Sequence, residues 1–142
     1  MNATSDPTGL TVAQVMTPDP IVLSADQSLQ QAARVLEEQE ISGAPVVDMD
    51  GTLVGVLSES DLVRARSTEH LWERWPGLSV RHLTHAPALT ADLSMSVSEA
   101  AALMEQAHVH RLVVVDDDQQ TPIGIISSSD IVRAILGEHD AG

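Results

Sequence analysis

The chain has 142 residues, with 7 Lys+Arg against 21 Asp+Glu and a formal net charge of −14. Every basic residue is Arg and Cys is absent. That excludes a disulfide framework, a thiolate metal site, a cysteine nucleophile and a lysine base or Schiff base. The acidic balance argues against nucleic acid and anionic membrane surfaces as partners. No apolar run approaches the ~20 residues of a membrane-spanning helix. The start, MNATSDPTGLT, lacks the basic and apolar regions of a secretory signal, so a cytoplasmic protein is expected. The length suits one domain, or two half-domains sharing a core. Trp72 and Trp75 are the only aromatic residues, so that core must be built from Val, Leu, Ile, Ala and Met. A high-GC genome or adaptation to high salt would each account for the Lys-free, acidic composition.

In chain order, a tail over residues 1–11, frayed to about residue 10, leads into a short helical segment at Val12 to Met16. Ile21-Val22-Leu23 reads as a short strand. Asp26 or Ser28 can then cap a helix whose apolar residues Leu29, Ala32, Ala33 and Leu36 recur at helical spacing. Pro45 to Asp48 and Leu53 to Leu57 read as strands joined across Asp50-Gly51, a hairpin signal. A helix follows from about Ser60. Residues 67–79, with both Trp and the Pro76-Gly77 break, read as a helix extension and linker. Val80 to Leu83 is a second helical lead-in. Ser96-Val97-Ser98-Glu99 is a capping box before Val97, Ala100, Ala101 and Met104 at the same spacing. A second hairpin crosses Asp116 to Pro122, a helix starts near Ser129, and residues 138–142 form a tail.

The chain is an internal duplication. At a shift of 68, Gln31 to Glu37 lies on Glu99 to Glu105, and Pro45-Val46-Val47-Asp48 lies on Val113-Val114-Val115-Asp116. At 69, Gly55 to Arg64 lies on Gly124 to Arg133. An earlier block pairs Thr17 with Thr84 at a shift of 67. The expected fold is α+β, two β-α-β-β-α units over 12–66 and 80–137 that share a core, since each is small to stand alone.

The blocks that carry this repeat resemble the cystathionine beta-synthase (CBS) domain, which occurs in tandem pairs called Bateman modules. They are Val15-Met16-Thr17-Pro18, Ile41 to Asp48 and Gly55 to Leu62 in the first copy, and His110 to Asp116 and Gly124 to Ile131 in the second. The resemblance covers roughly residues 12 to 137, leaving no room for a catalytic domain. It implies a pseudo-twofold pair whose clefts between the units hold adenosine-containing ligands: AMP, ADP, ATP or S-adenosylmethionine, with Mg²⁺ an optional companion. Carried over by position, Asp61 and Asp130 would bond the ribose hydroxyls, with Ser58 and Ser127 on phosphate or sugar. Thr17 or Thr84 would line a cleft, and adenine would lie near Ser42, Gly43, Ala44 and Pro45 or near His110, Arg111 and Leu112. The resemblance also implies a homodimer of pairs.

The residue chemistry is compatible. An ionised carboxylate accepts both donors of a cis-diol, and a hydroxyl at a strand-to-helix junction lies beside free helix N–H groups suited to phosphate. Gly55 and Gly124 would admit a ligand close to the backbone. Ser-x-x-Asp is equally a capping arrangement, and the two roles are compatible. His110-Arg111 is the one basic pair near an expected cleft, against the uncharged Ser42-Gly43 of the first copy, so phosphates would favour the second. The spacings of His82 with His85 and His108 with His110 raise a zinc or nickel site, and Asp116-Asp117-Asp118 a Mg²⁺ or Ca²⁺ site, each against a plain surface role. Neither a Gly-x-Ser-x-Gly elbow nor a phosphate-cradling Gly-x-x-x-x-Gly-Lys loop is present. The chain therefore reads as a non-catalytic, regulatory ligand-binding module. The alternative is a dimerisation or docking module with empty clefts that engages a partner enzyme or transporter.

Overall fold

A computed structural model describes residues 9–67, 77–118 and 120–137. Residues 68–76 of the expected linker, with Trp72 and Trp75, much of the N-terminal tail and the final five residues lie outside the described residues. The elements are α1 (Val12–Val15), β1 (Thr17–Pro18), β2 (Leu23–Ser24), α2 (Leu29–Glu38), β3 (Gly43–Val47), β4 (Leu53–Ser58) and α3 (Glu59–Ser67). They continue with α4 (Val80–Leu83), β5 (Thr90–Asp92), α5 (Val97–Ala107), β6 (Arg111–Val115), β7 (Pro122–Ser127) and α6 (Ser128–Leu136). The α+β fold with a duplicated unit is present as expected. No described helix is long and apolar enough to cross a membrane.

Compactness divides the chain differently from the repeat. One unit is contiguous, Ile21–Ala88; the other joins Met1–Pro20 to Leu89–Gly142. Each lead-in therefore packs with the sheet of the other copy. In the contiguous unit β2, β3 and β4 form a sheet in that order, and His85 bridges to Val56 at its edge. In the divided unit the order is β1-β7-β6-β5, so Thr17 and Pro18 pair with Ile125 and Gly124.

The core of each unit follows from its helical stripe. Leu29, Ala32 and Leu36 on α2 are buried with Leu23, Val46, Leu57 and Val80. Val97, Ala100 and Met104 on α5 are buried with Val12, Leu112, Val114 and Ile126. Removing a Leu-sized side chain from water stabilises by about 1.5–3 kcal/mol, so these stripes fix which helix face meets the sheet. Ser28, rather than Asp26, caps α2: its hydroxyl accepts from Gln31 N–H, and Gln31 returns a bond to Ser28 N–H. Ser96 and Glu99 do the same for α5.

Two sequence expectations need correction. The first strand covers Leu23–Ser24 rather than Ile21 to Leu23, because Leu23 and Ser24 ladder onto Val46 and Val47 while Ile21 and Val22 stay 38% and 41% exposed. The early block repeats at 68, not 67. Helices Val12–Val15 and Val80–Leu83 correspond at that shift, as do the Leu23–Val46 and Ala91–Val114 pairs. Identity of Thr17 with Thr84 suggested the slip; hydrogen bonding sets the register. Thr84 takes the place of Met16 as helix C-cap, and His85 takes the place of Thr17 on the sheet edge.

Candidate functional site

In both units a strand runs directly into a helix, and the junction carries Ser-x-x-Asp. In the contiguous unit Asp61 Oδ2 accepts from Ser58 N–H at 2.8 Å and from the Ser58 hydroxyl at 3.0 Å, while Asp61 N–H reaches Ser58 Oγ at 3.3 Å. In the divided unit Asp130 Oδ2 accepts from Ser127 N–H at 2.8 Å, and Asp130 N–H donates to Ser127 Oγ at 3.2 Å. These are capping boxes built from a serine and an aspartate, and the helix N-terminus favours their negative charge. Both carboxylates are only 5% exposed, and they are the buried charged residues of the described core.

The neighbouring strand closes each junction. Gly43 pairs with Ser58, and Glu59 N–H donates to Ser42 carbonyl. Arg111 pairs with Ser127, and Ser128 N–H donates to His110 carbonyl. The expected residues thus fall into two sets. Ser42, Gly43, Ala44, Pro45, Ser58, Asp61 and Thr84 belong to the contiguous unit, and Thr17, His110, Arg111, Leu112, Ser127 and Asp130 to the divided one. Ala44, Pro45 and Leu112 are buried, so what they offer a ligand is backbone.

Some expected roles change. Thr84 donates its hydroxyl to Val80 carbonyl at 2.8 Å, closing α4. The glycines admit the chain itself. A Cβ on Gly55 would lie 2.2 Å from His85 carbonyl oxygen and 2.5 Å from Thr84 Cγ2, and one on Gly124 would lie 2.5 Å from Met16 Sδ. The close approach at both glycines is made by a lead-in segment, where a ligand had been expected. His110 and Arg111 also part company. A groove of about 480 Å³ is lined by Met104, His108, Val109, His110, Ser128 and Ile131 among others, without Arg111. Successive residues entering a strand point to opposite sides.

Among the described residues no group of three or more His, Asp or Glu is placed to hold a metal ion. His82 Nδ1 accepts from Ser79 N–H and serves as the capping partner of α4. His85 turns to Asp61 instead. In the acidic turn, Asp118 accepts from Gln120 and Thr121 N–H, and Asp116 Oδ1 accepts from Asp118 N–H. A bond shared with Asp116, followed by that from Gln120, holds the Asp118 carboxyl down at about 2; the same sharing pushes Asp116 up.

Sequence reasoning passed over three residues that touch the carboxylates. Arg64 donates to Asp61 Oδ1 at 3.2 Å, and Arg133 donates to Asp130 Oδ1. The signal was present, since Asp-x-x-Arg recurs in both copies. His85 Nε2 lies 2.5 Å from Asp61 Oδ1. Burial pushes the Asp61 carboxyl up, but bonds from Ser58 N–H, the His85 ring and the Ser58 hydroxyl outweigh it and hold the carboxyl below its ordinary range.

The model of the CBS domain family matches residues 12–68 and 80–137. The crystal structure of CBSX2 in complex with AMP superposes with a TM-score of 0.79 at 33% identity, over 89% of this chain and 96% of that one. CBSX2 is a CBS-pair protein from Arabidopsis thaliana. A CBS domain pair in complex with 5′-methylthioadenosine and S-adenosyl-L-methionine gives 0.78 at 26% identity, over 91% and 98% of the two chains. An uncharacterised protein of Methanocaldococcus jannaschii is 30% identical, over 82% of this chain and 86% of its own length. An inosine-5′-monophosphate dehydrogenase of Nitrosopumilus maritimus is 32% identical over 84% of this chain but only 23% of the enzyme. The chain belongs to the CBS-domain family and is a tandem pair of CBS domains.

Proposed function

We propose that this CBS pair is a non-catalytic, cytoplasmic sensor of adenosine-bearing small molecules, with Asp61 and Asp130 as ribose-binding carboxylates. The observation that carries the reading is the duplicated frame. Two carboxylates, each 5% exposed, are oriented by a serine at a helix start, where one oxygen is held by the frame and the other meets a more exposed arginine side chain. A diol can replace an arginine that is itself more than half exposed. Structures at 26% and 33% identity that hold S-adenosylmethionine with methylthioadenosine, and AMP, support this class of ligand. AMP and S-adenosylmethionine are therefore the first ligands to test, followed by ADP and ATP with and without Mg²⁺.

Calorimetric titration of AMP and S-adenosylmethionine into the full chain and into Asp61→Ala and Asp130→Ala tests it. A hydrogen bond to a charged group contributes about 1.5–3 kcal/mol, so each variant should weaken its own site by roughly 10- to 150-fold. Unchanged binding in both variants would remove the carboxylates from the site. Absence of binding by the unaltered chain would favour the docking-module reading. The exposed apolar row Val132, Ile135 and Leu136 on α6 supports assembly of two copies. Sedimentation equilibrium should then give a dimer that Ile135→Asp dissociates.

A further inference from the structure

The two carboxylate frames are built alike, with the Ser58 hydroxyl adding a bond to Asp61 Oδ2, and they differ most in what else meets Oδ1. Both Oδ2 atoms are held by the serine, and both Oδ1 atoms meet an arginine three residues on. Asp61 Oδ1 additionally meets His85 Nε2 at 2.5 Å. The ring is placed there by backbone. His85 N–H donates to Val56 carbonyl at 2.9 Å, and Val56 N–H donates to His85 carbonyl at 3.0 Å, so the residue is clamped to the strand that leads into Asp61. The corresponding edge residue of the divided unit is Thr17, paired with Ile125 and bearing no titratable group.

A carboxylate oxygen has two lone-pair directions, and Asp61 Oδ1 already has two donors. A ribose reaching Asp61 must displace the arginine, as at Asp130, and the imidazole as well. The histidine side chain is 64% exposed and the aspartate 5%, so the ring can swing into water whereas the carboxylate cannot. The groups around the ring leave the proton as the controlling variable. From α3 it faces Asp61 and Arg64, and β4 carries no titratable side chain. On its own side Arg81 is engaged by Asp26 and His82 by Ser79. A histidine changes charge between about pH 5 and 8. Protonated, it forms an ion pair with Asp61 that a ligand must break; neutral, it offers one replaceable hydrogen bond.

We propose that His85 is the specificity-determining residue of the Asp61 site: it occupies the ribose carboxylate from within the chain, so that this site opens to nucleosides as pH rises while the Asp130 site does not. The inference rests on the ribose-binding reading of both carboxylates.

The test uses adenosine and 5′-methylthioadenosine, which have no phosphate to titrate in this window, added to the full chain at pH 6 and pH 8. In an Asp130→Ala background, binding should be at least fivefold tighter at pH 8. His85→Ala added to that background should raise the pH 6 affinity and erase the difference. In an Asp61→Ala background the remaining site should bind equally at both pH values. A pH difference that survives His85→Ala, or one that is absent before it, overturns the proposal while leaving the ribose reading intact. Failure of the unaltered chain to bind either nucleoside at either pH fells the ribose reading and the inference together. A ligand-free control separates the contact from the ligand: by NMR at pH 6, Asp61→Asn should move the ring resonances of His85, whose Nε2 lies 2.5 Å from Asp61 Oδ1. Unmoved resonances overturn the proposal whatever binds.

Discussion

Asp61 and Asp130 show what duplication preserves and what it leaves free. The serine, the aspartate and the arginine lie within one short stretch of each copy, and in both the stretch folds into the same strand-to-helix junction. The residue that distinguishes the two sites comes from elsewhere in the chain, from a lead-in brought against the sheet edge. A frame fixed by local sequence can be copied whole, whereas a neighbour supplied by tertiary contact is open to change in one copy alone. The two halves can therefore share a fold and a carboxylate frame and still differ in what surrounds that frame.

The largest stability contrast should come from the glycines beneath the lead-ins. Gly55→Ala drives a methyl into the carbonyl of His85, a residue whose backbone is held by two hydrogen bonds to Val56, and should cost about 3 kcal/mol. Gly124→Ala meets first a methionine sulfur at the far end of a flexible side chain and should cost about 1 kcal/mol. Urea midpoints compare them, and equal losses would mean that the two lead-ins are clamped alike. Where the copies agree, the effects should agree. Ser28→Ala and Ser96→Ala each remove one capping box, and each should lower stability by about 1 kcal/mol. A twofold disparity would show that the frames are less equal than their hydrogen bonds. Smallest is the pair of Arg81 with Asp26 at 2.8 Å, both 56% exposed, at positions where the other copy has Ala13 and Ser94. Arg81→Ala should cost only a few tenths of a kcal/mol, vanishing in high salt.

The hairpins, the two amphipathic helices and the capping boxes were legible in the sequence because each depends on residues within a few positions of one another. The Ser58/Asp61 and Ser127/Asp130 frames were legible for the same reason. The exchange of lead-ins was not. A two-residue strand such as Thr17–Pro18 has no periodicity to read, and its partner lies on β7. The misplaced register hid His85 as well. Matching Thr17 to Thr84 put the histidine opposite Pro18, where only a metal-ligand role suggested itself. The uniform shift of 68 already visible at Gln31 and Pro45 would have put it opposite Thr17, on the sheet edge. No spacing rule, however, relates His85 to Asp61; their meeting depends on the bridge to Val56.

The division into a contiguous and a divided unit also orders the assembly of the chain. Residues 21–88 can find their contacts within one stretch, whereas residues 12–18 cannot complete their sheet until β7 exists. The entropy of closing a loop rises with its length, and bringing those two ends together spans the whole contiguous unit unless that unit has already collapsed. Prior folding of 21–88 shortens the effective loop, so the inserted unit acts as a scaffold that draws its host's termini into reach. Emerging from a ribosome, the chain would bury the second copy's lead-in against the first copy before its own opening segment has anywhere to go.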